Sequence, residues 1–204
     1  MAGLKSIIFD LGGVLIDIDY HKTAAAFKTL GAKNFDELYS QAGASQLFEA
    51  LETGSITEAD FFEQMQAYCQ PGTTWQQIEA AWNQILLSFR QPSIQHLDIL
   101  RRKYRIFLLS NTNSIHKRAF DSILQHETGY SSLDGFFEKS YYSHLLHKRK
   151  PYVETYQFVL NDGNMLAAET LFIDDSPVNI VGAKEAGLQT QLLLPGQKIE
   201  TLGL

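Results

Sequence analysis

Residues 7–14 read Ile-Ile-Phe-Asp-Leu-Gly-Gly-Val, an apolar run followed by a carboxylate and a glycine-rich turn. The run Ile7–Phe9 is typical of a buried strand, so Asp10 stands where a strand ends. In a parallel α/β sheet, ligands bind outside the carboxyl ends of the strands, and Gly12 and Gly13 would let the backbone approach a ligand closely. Asp10 is therefore a candidate nucleophile, although an aspartate before glycine also closes turns through its own backbone.

Beyond Pro92 the sequence alternates between helical and strand patterns, which favours parallel strands joined by helical crossovers. Strands are predicted at 105–109, 137–141, 170–173 and 189–194. Helices are predicted at 93–104, 113–125, 151–160 and 177–186, the third with Pro151 in its first turn and the last ended by Gly187. The pattern predicts an α/β fold with a doubly wound, Rossmann-like, mostly parallel sheet.

Residues 17–92 have a helical pattern throughout, which predicts a helical cap lobe inserted after the first strand. Thr57 begins one helix, and Thr74 begins a second with a capping box. Apolar residues then recur at helical spacing in two stripes, Phe61, Met65 and Tyr68 followed by Trp75, Ile78, Trp82 and Ile85. We expect both stripes to form the core of the lobe, with an aromatic substrate wall as the alternative for the tryptophans. The predicted catalytic core comprises residues 1–16 and 93–204.

The composition is that of an ordinary soluble protein. The 204 residues are 45% hydrophobic, enough for one core and a small second lobe. With 17 basic and 23 acidic residues the net charge is −6, which opposes binding to nucleic acid or to an anionic membrane. No segment approaches the ~20 apolar residues of a membrane span, and no signal-peptide pattern is found, so we expect a cytoplasmic protein with no obligate protein partner. The only cysteine, Cys69, cannot form an intramolecular disulfide.

Polar residues follow three later apolar runs. Residues 110–113, Ser-Asn-Thr-Asn, offer a hydroxyl and a fresh helix N-terminus, with simple helix capping as the alternative. Lys150 directly precedes Pro151 in a basic segment that could also be a solvated loop. Asp174 and Asp175 are adjacent at a strand end, where capping explains one acid but not two, so a bound cation is the economical explanation.

Together the four strand ends supply a nucleophilic carboxylate, a hydroxyl with N–H donors, an ammonium group and an acidic pair. Phosphoryl transfer needs this set, because the transferring group carries charge on several oxygens that a cation and donors must neutralise and align. These residues therefore predict phosphoryl-transfer chemistry assisted by Mg²⁺.

The order and spacing of these segments resemble the haloacid dehalogenase-like hydrolases, a superfamily of mainly Mg²⁺-dependent phosphatases. The four matching motifs are Asp10-Leu11-Gly12-Gly13-Val14, Leu109-Ser110-Asn111-Thr112, Arg149-Lys150-Pro151, and Ile173-Asp174-Asp175-Ser176 with Asn179. The helical insert after the first motif is similar to the cap of the subfamily that includes bacterial sugar phosphatases, among them an α-D-glucose-1-phosphate phosphatase, and the phosphatase domain of mammalian epoxide hydrolase.

The resemblance implies a metal site and a covalent mechanism. Asp10 would attack phosphorus and form an aspartyl-phosphate, which divides one hard displacement into two easier ones. Mg²⁺ would be held by Asp10, the Gly12 carbonyl and Asp175, while Asp174 would support the metal directly or through water.

The resemblance also implies a phosphate site. Ser110 and Asn111 would grip the phosphoryl oxygens, and Lys150 would bridge the nucleophile and the phosphate. Many phosphatases of the superfamily carry a second aspartate as general acid and base where this chain has Gly12. Since a positioned acid contributes about 10²- to 10⁴-fold in rate, we expect a bias toward good leaving groups such as an anomeric sugar phosphate, an aryl phosphate or an acyl phosphate.

Three other functions are compatible with parts of the pattern. A haloacid dehalogenase would use the same aspartate without a metal, which the Asp174-Asp175 pair argues against. A phosphonatase would need a Schiff-base lysine in the cap, and Lys22, Lys28 and Lys33 are available there. A non-catalytic module could keep phosphate affinity and lose turnover.

Substrate-facing residues of the cap cannot be assigned from periodicity, so Tyr20, His21, Tyr39 and Phe48 are candidates only. His144 and His147 are interpreted as surface or helix-end histidines.

Overall fold

A computed structural model describes residues 3–32, 35, 39–40, 43–44 and 46–204, with the side chains of 39–40 and 43–44 excepted. Its main sheet has five strands, β1 (Ser6–Phe9), β6 (Arg105–Ser110), β7 (Lys139–Tyr142), β8 (Thr170–Asp174) and β9 (Gln189–Leu192). All four pairings are parallel and the spatial order is β7-β6-β1-β8-β9. The α/β, doubly wound fold is therefore confirmed.

Nine helices are found in the described part of the chain: α1 (Tyr20–Thr29), α2 (Gln46–Glu52), α3 (Glu58–Gln66), α4 (Trp75–Trp82), α5 (Gln91–Leu100), α6 (Ser114–Thr128), α7 (Ser143–Leu146), α8 (Val153–Asp162) and α9 (Pro177–Glu185). Capping boxes at Thr57 and Thr74 start α3 and α4 as predicted. None of these helices is both long and apolar enough to cross a lipid bilayer.

Apolar layers cover both faces of the sheet. Ile7 and Phe9 of β1 pack with Leu97 of α5 on one face, whereas Ile8, between them in sequence, packs with Tyr156 of α8 on the other. This alternation is the period of two that a strand imposes on its side chains. Because both faces are buried, β1 reads in the sequence as a continuous apolar run.

The inserted segment has an apolar cluster of its own, built from α1–α4 with Ile115 added from α6. Trp82 is 1% exposed and stacks on Phe48 with ring centroids 5.1 Å apart. Phe48 therefore packs inside the cap, and its candidacy as a substrate-facing residue is wrong. Trp75 is 40% exposed, so only part of the predicted apolar stripe is buried.

The expectation that residues 17–92 are helical throughout is wrong at both ends. Strands β2 (Ile16–Ile18) and β5 (Leu86–Phe89) form an antiparallel ribbon in which Ile16 pairs with Phe89. An Asp17–Arg90 ion pair of 2.6 Å joins the two chain segments. Two further short strands, β3 (Tyr39–Ser40) and β4 (Gly43–Ala44), pair with each other. These strands are two to four residues long, too short to give a periodic signal.

Candidate active site at the carboxyl edge of the sheet

The register of the sheet brings three of the predicted site residues together. Phe9 of β1 pairs with Leu108 of β6 and with Ile173 of β8. Asp10, which follows Phe9, therefore lies between the end of β6, with Ser110, and the end of β8, with Asp174. Parallel strands end at the same edge of a sheet, so residues about 100 positions apart become neighbours there.

Lys150 reaches this edge from the loop before α8. Its Nζ lies 2.6 Å from Asp10 Oδ1 and 2.8 Å from Asp174 Oδ2, and the residue is 1% exposed. Burial by itself would lower the pKa of Lys150, but the two carboxylates outweigh burial and raise the pKa. Lys150 is consequently a charged ammonium group fixed beside the candidate nucleophile.

The two adjacent acids have different surroundings. Asp174 is fully buried, and its oxygens accept hydrogen bonds from Lys150 Nζ, the Ser176 backbone N–H and Asn179 Nδ2. No side chain of the described residues donates to Asp175, which lines the cavity above the sheet. Asp174 is therefore committed to internal contacts, whereas Asp175 keeps its oxygens for a ligand.

Asp175 is in close contact with the turn after β1. Gly13 has φ +70°, and a Cβ added to it would lie 2.0 Å from Asp175 Oδ2. Glycine is required here both for the left-handed backbone and for the space that the carboxylate fills. The absence of a side chain at Gly13 therefore allows the Asp175 carboxylate to occupy its position beside the turn.

Asp10, Asp174 and Asp175 offer oxygens that lie within 4.8 Å of one another, close enough to share one metal ion. Burial raises the pKa of Asp10, Lys150 opposes that rise, and the neighbouring acids add to it. Burial and then Asp174 raise the pKa of Asp175 to about 6. Three carboxylates facing one ammonium leave an excess of two negative charges, which a hard divalent cation with oxygen ligands would neutralise.

Some polar side chains at the end of β6 and just after it make internal hydrogen bonds, and others line the cavity. Asn111 Nδ2 donates to the Lys150 carbonyl oxygen and Asn111 Oδ1 accepts from the Lys150 N–H, both at 2.9 Å. This pairing occupies Asn111 Oδ1 and one of the two hydrogens of Nδ2, so the donors that Asn111 keeps are its backbone N–H and the second Nδ2 hydrogen. Asn113 caps α6 through the His116 N–H, so the simple capping alternative holds for that residue. Ser110 is 2% exposed and lines the cavity.

Pro151 was expected in the first turn of the next helix, and that expectation is wrong. A cis peptide bond joins Lys150 to Pro151, and Tyr152 is the N-cap of α8. A Cβ added to Gly182 of α9 would meet the Pro151 carbonyl oxygen at 2.0 Å, so this glycine allows the loop to pack directly on α9. The Lys150 segment is held by close packing and by the Asn111 amide.

The site opens into a cavity of about 350 Å³ between the sheet edge and the inserted segment. Its apolar wall contains Ile18 and Leu86 of the ribbon. A Cβ added to Gly12 would meet Ile18 Cδ1 at 3.2 Å, and the three nearest atoms of the described residues around it all belong to Ile18. Tyr20 lines the cavity, as the sequence allowed, and burial raises its pKa. His21 is exposed, and the side chain of Tyr39 lies outside the described residues.

Sequence reasoning missed three polar residues of the cavity wall, Glu49, Glu52 and Tyr152, and it named Arg149 within the third motif without giving that residue a role. They come from α2 and from the loop before α8, and none of them follows an apolar run. Their positions depend on how the inserted segment packs on the sheet, so no local signal marks them. His147, the C-cap of α7, contacts the Thr53 carbonyl oxygen through Nδ1 at 2.8 Å, in agreement with its interpretation as a helix-end histidine.

Comparisons with known proteins give a consistent result. A family model described as haloacid dehalogenase-like hydrolase matches residues 4–187. A D-ribitol-5-phosphate phosphatase of Bacteroides thetaiotaomicron is 32% identical over 92% of this chain and 90% of its own length. A sesquiterpene phosphatase of Aspergillus oryzae is 28% identical over 90% of this chain and 87% of its own. A solved enzyme of Bacteroides thetaiotaomicron, in complex with magnesium and inorganic phosphate, is 33% identical with a TM-score of 0.87, covering 99% of this chain and all (100%) of that one.

Proposed function

The chain belongs to the haloacid dehalogenase-like hydrolases, and we propose that it is a Mg²⁺-dependent phosphatase of small phosphorylated metabolites. The observation that carries this proposal is the buried contact of Lys150 Nζ with Asp10 at 2.6 Å, in a pocket where Asp175 keeps its oxygens free of side-chain donors. Two relatives named as phosphatases, and a solved neighbour that holds magnesium and phosphate, support the same activity.

Asp10 acts as the nucleophile in this proposal. One of its carboxylate oxygens bonds to phosphorus while the bond from phosphorus to the ester oxygen breaks, and the departing oxygen takes a proton from water. Water then attacks the aspartyl-phosphate, which releases inorganic phosphate and regenerates the carboxylate. Lys150 holds its charge beside both the nucleophile and the transferred group, and Ser110 donates to a phosphoryl oxygen.

The residues at the sheet edge fit a magnesium ion. Asp10, Asp175 and the Gly12 carbonyl would hold it, and the bound ion would neutralise charge on the transferring phosphoryl group. Asp174 has every oxygen engaged by donors, so of the two roles left open by the sequence we assign it the indirect one, with Lys150 and Asn179 as its partners. Asn111 acts as a positioning residue for Lys150 through its paired contacts with that backbone.

We propose a sugar phosphate or a sugar-alcohol phosphate as the substrate class. The name of the Bacteroides relative, a D-ribitol-5-phosphate phosphatase, supports a polyhydroxylated ester, and sugar 1-phosphates remain candidates because Gly12 supplies no general acid. The small cavity, about 350 Å³, suits a ligand of that size.

The alternative functions have less support. Dehalogenase chemistry leaves the acidic group at the sheet edge without a role. For a phosphonatase, Lys22 and Lys28 are exposed and absent from the cavity wall, and Lys33 lies outside the described residues. If the protein only bound phosphate and did not catalyse a reaction, the buried contact between Lys150 and Asp10 would have no role.

The test is a screen of phosphorylated metabolites for phosphate release with Mg²⁺, with sugar 1-phosphates beside sugar 5- and 6-phosphates and sugar-alcohol phosphates. Asp10→Asn should abolish release, whereas the control Asp98→Asn, in an acid of α5 that pairs with the C-cap residue Arg101, should keep full activity. The proposal is overturned if no ester is hydrolysed, or if Asp10→Asn is as active as the wild type.

A further inference from the structure

The wall of the cavity opposite the sheet edge carries two acids that share one cation. Glu49 and Glu52 lie three positions apart on α2 and face Arg149, with Oε2 to guanidinium distances of 3.4 Å for Glu49 and 3.0 Å for Glu52. The hydroxyl of Tyr152 donates to Glu49 Oε1 at 2.9 Å. Two carboxylates against one guanidinium leave this wall with an excess of one negative charge.

Glu52 is the acid that is more deeply placed in the wall. Its side chain is 13% exposed, against 36% for Glu49. Although Glu52 Oε2 and Arg149 Nε are 3.0 Å apart, neither atom has a hydrogen-bond partner of good geometry among the described residues. Oε2 is itself shielded, so the oxygen available to a ligand is Glu52 Oε1, which belongs to a side chain that lines the cavity and accepts no hydrogen bond from the described residues.

Free positive charge is lacking in the cavity. Among the described residues that line it, the lysines and arginines are Lys150 and Arg149 alone, and both are ion-paired. At the sheet edge, one divalent cation would match the excess of two negative charges, which would leave no positive charge for a second anionic group. A substrate can thus bring one phosphoryl group to the metal, but a second anionic group would meet a wall that is already negative.

Resting on the proposed phosphatase activity, we propose that Glu52 is a specificity-determining residue that selects esters with an uncharged, hydroxyl-bearing leaving group. A substrate hydroxyl donates a hydrogen bond to the Glu52 carboxylate. A leaving group that carries a carboxylate or a second phosphate is rejected, because it would place like charges together in a partly buried site.

The experiment compares glycerol 3-phosphate with 3-phosphoglycerate, which have the same carbon chain and differ by a hydroxymethyl group against a carboxylate. With Mg²⁺ and wild-type enzyme, kcat/KM should favour glycerol 3-phosphate by about 30-fold, as like-charge repulsion in a partly buried site predicts. Glu52→Gln should narrow this preference by about 10-fold, chiefly through faster hydrolysis of 3-phosphoglycerate. Glu52→Asp, which keeps the charge, should retain the preference.

p-Nitrophenyl phosphate serves as the reference ester, because its leaving group has neither the hydroxyls nor the carboxylate. The kcat/KM of each three-carbon ester is divided by that of p-nitrophenyl phosphate in the same variant, and the control Glu63→Gln, in an exposed residue of α3, should leave every ratio unaltered. These comparisons separate a recognition role from a general loss of structure.

Equal kcat/KM for the two three-carbon esters in the wild type, or an unchanged preference in Glu52→Gln, would overturn the inference while the phosphatase activity stands. Faster hydrolysis of ethanolamine phosphate than of glycerol 3-phosphate would also overturn it, since the wall would then select a cation. If no ester releases phosphate, p-nitrophenyl phosphate included, the proposed function fails and this inference fails with it.

Discussion

Gly13→Ala is expected to damage the proposed metal site although it replaces none of the proposed metal ligands. The new Cβ would lie 2.0 Å from Asp175 Oδ2, whereas ordinary van der Waals contact begins at 3.4 Å, so the carboxylate must retreat by about 1.4 Å. Alanine in a left-handed conformation adds about 1–2 kcal/mol of backbone strain. Magnesium accepts oxygen ligands only within a narrow distance range, and a displacement of this size removes the ligand.

We expect Gly13→Ala to raise the Mg²⁺ concentration needed for half-maximal phosphatase activity by at least about 100-fold. The assay is phosphate release as a function of Mg²⁺, together with isothermal titration of the protein with Mg²⁺. The matched control is Gly12→Ala, in the neighbouring residue, whose Cβ would meet only the movable end of Ile18 at 3.2 Å. This control should shift the Mg²⁺ requirement by less than about 5-fold.

The reasoning would be refuted if Gly13→Ala and Gly12→Ala required the same Mg²⁺ concentration. Circular dichroism and the thermal midpoint will show whether Gly13→Ala remains folded. Asp175→Asn offers an independent route to the same defect, and adding Gly13→Ala to it should produce little further loss, because both changes act on one ligand.

The remaining predictions concern Lys150, Gly12 and the acids. Lys150→Met should lower kcat by at least about 10³-fold, since it removes the cation beside Asp10 and the only cation that donates to Asp174 among the described residues. A kcat near that of the wild type would contradict this role. Gly12→Asp, tested on esters of graded leaving-group pKa, should speed hydrolysis of alkyl phosphates more than that of aryl phosphates, and equal effects on both would exclude a missing general acid. The raised pKa values of Asp10 and Asp175 mean that the folded metal-free protein keeps protons that the unfolded chain, with an aspartate pKa of 3.8, has lost. Stability of the metal-free protein should therefore fall as pH rises from about 4 through about 6 and beyond, and the increase in thermal midpoint caused by Mg²⁺ should be larger at about pH 8 than at about pH 5; a midpoint shift independent of pH would contradict it.

Much of the core could be predicted because parallel strands buried on both faces leave a plain signal. The apolar runs of β1, β6 and β8 were placed correctly to within a residue or two. The ribbon of β2 and β5 could not be predicted, because its strands are three and four residues long and pair across about 70 residues of helical pattern. Each of the two segments is a strand because it pairs with the other, and not because of its local sequence.

The residues of the candidate site were likewise predicted only in part. Asp10, Ser110 and Asp175 follow predicted strands, and the topology of a parallel sheet brings such ends together. The role of the Asn111 side chain depends on the conformation of the Lys150 loop, and Glu52 depends on how α2 packs over the sheet. Neither arrangement is encoded in spacing along the chain.

The pairing of Ile16 with Phe89 has a further consequence for how this architecture can vary. Chain entry and chain exit of the inserted segment are adjacent there, roughly 5 Å apart as in any antiparallel pair. A short turn could replace everything between them without stretching the sheet, and a different insert could be grafted at the same junction. We therefore expect the proposed catalytic residues at the sheet edge and the proposed substrate-recognition surface of the inserted segment to be separable, so that exchanging the insert at this junction changes selectivity and keeps the chemistry.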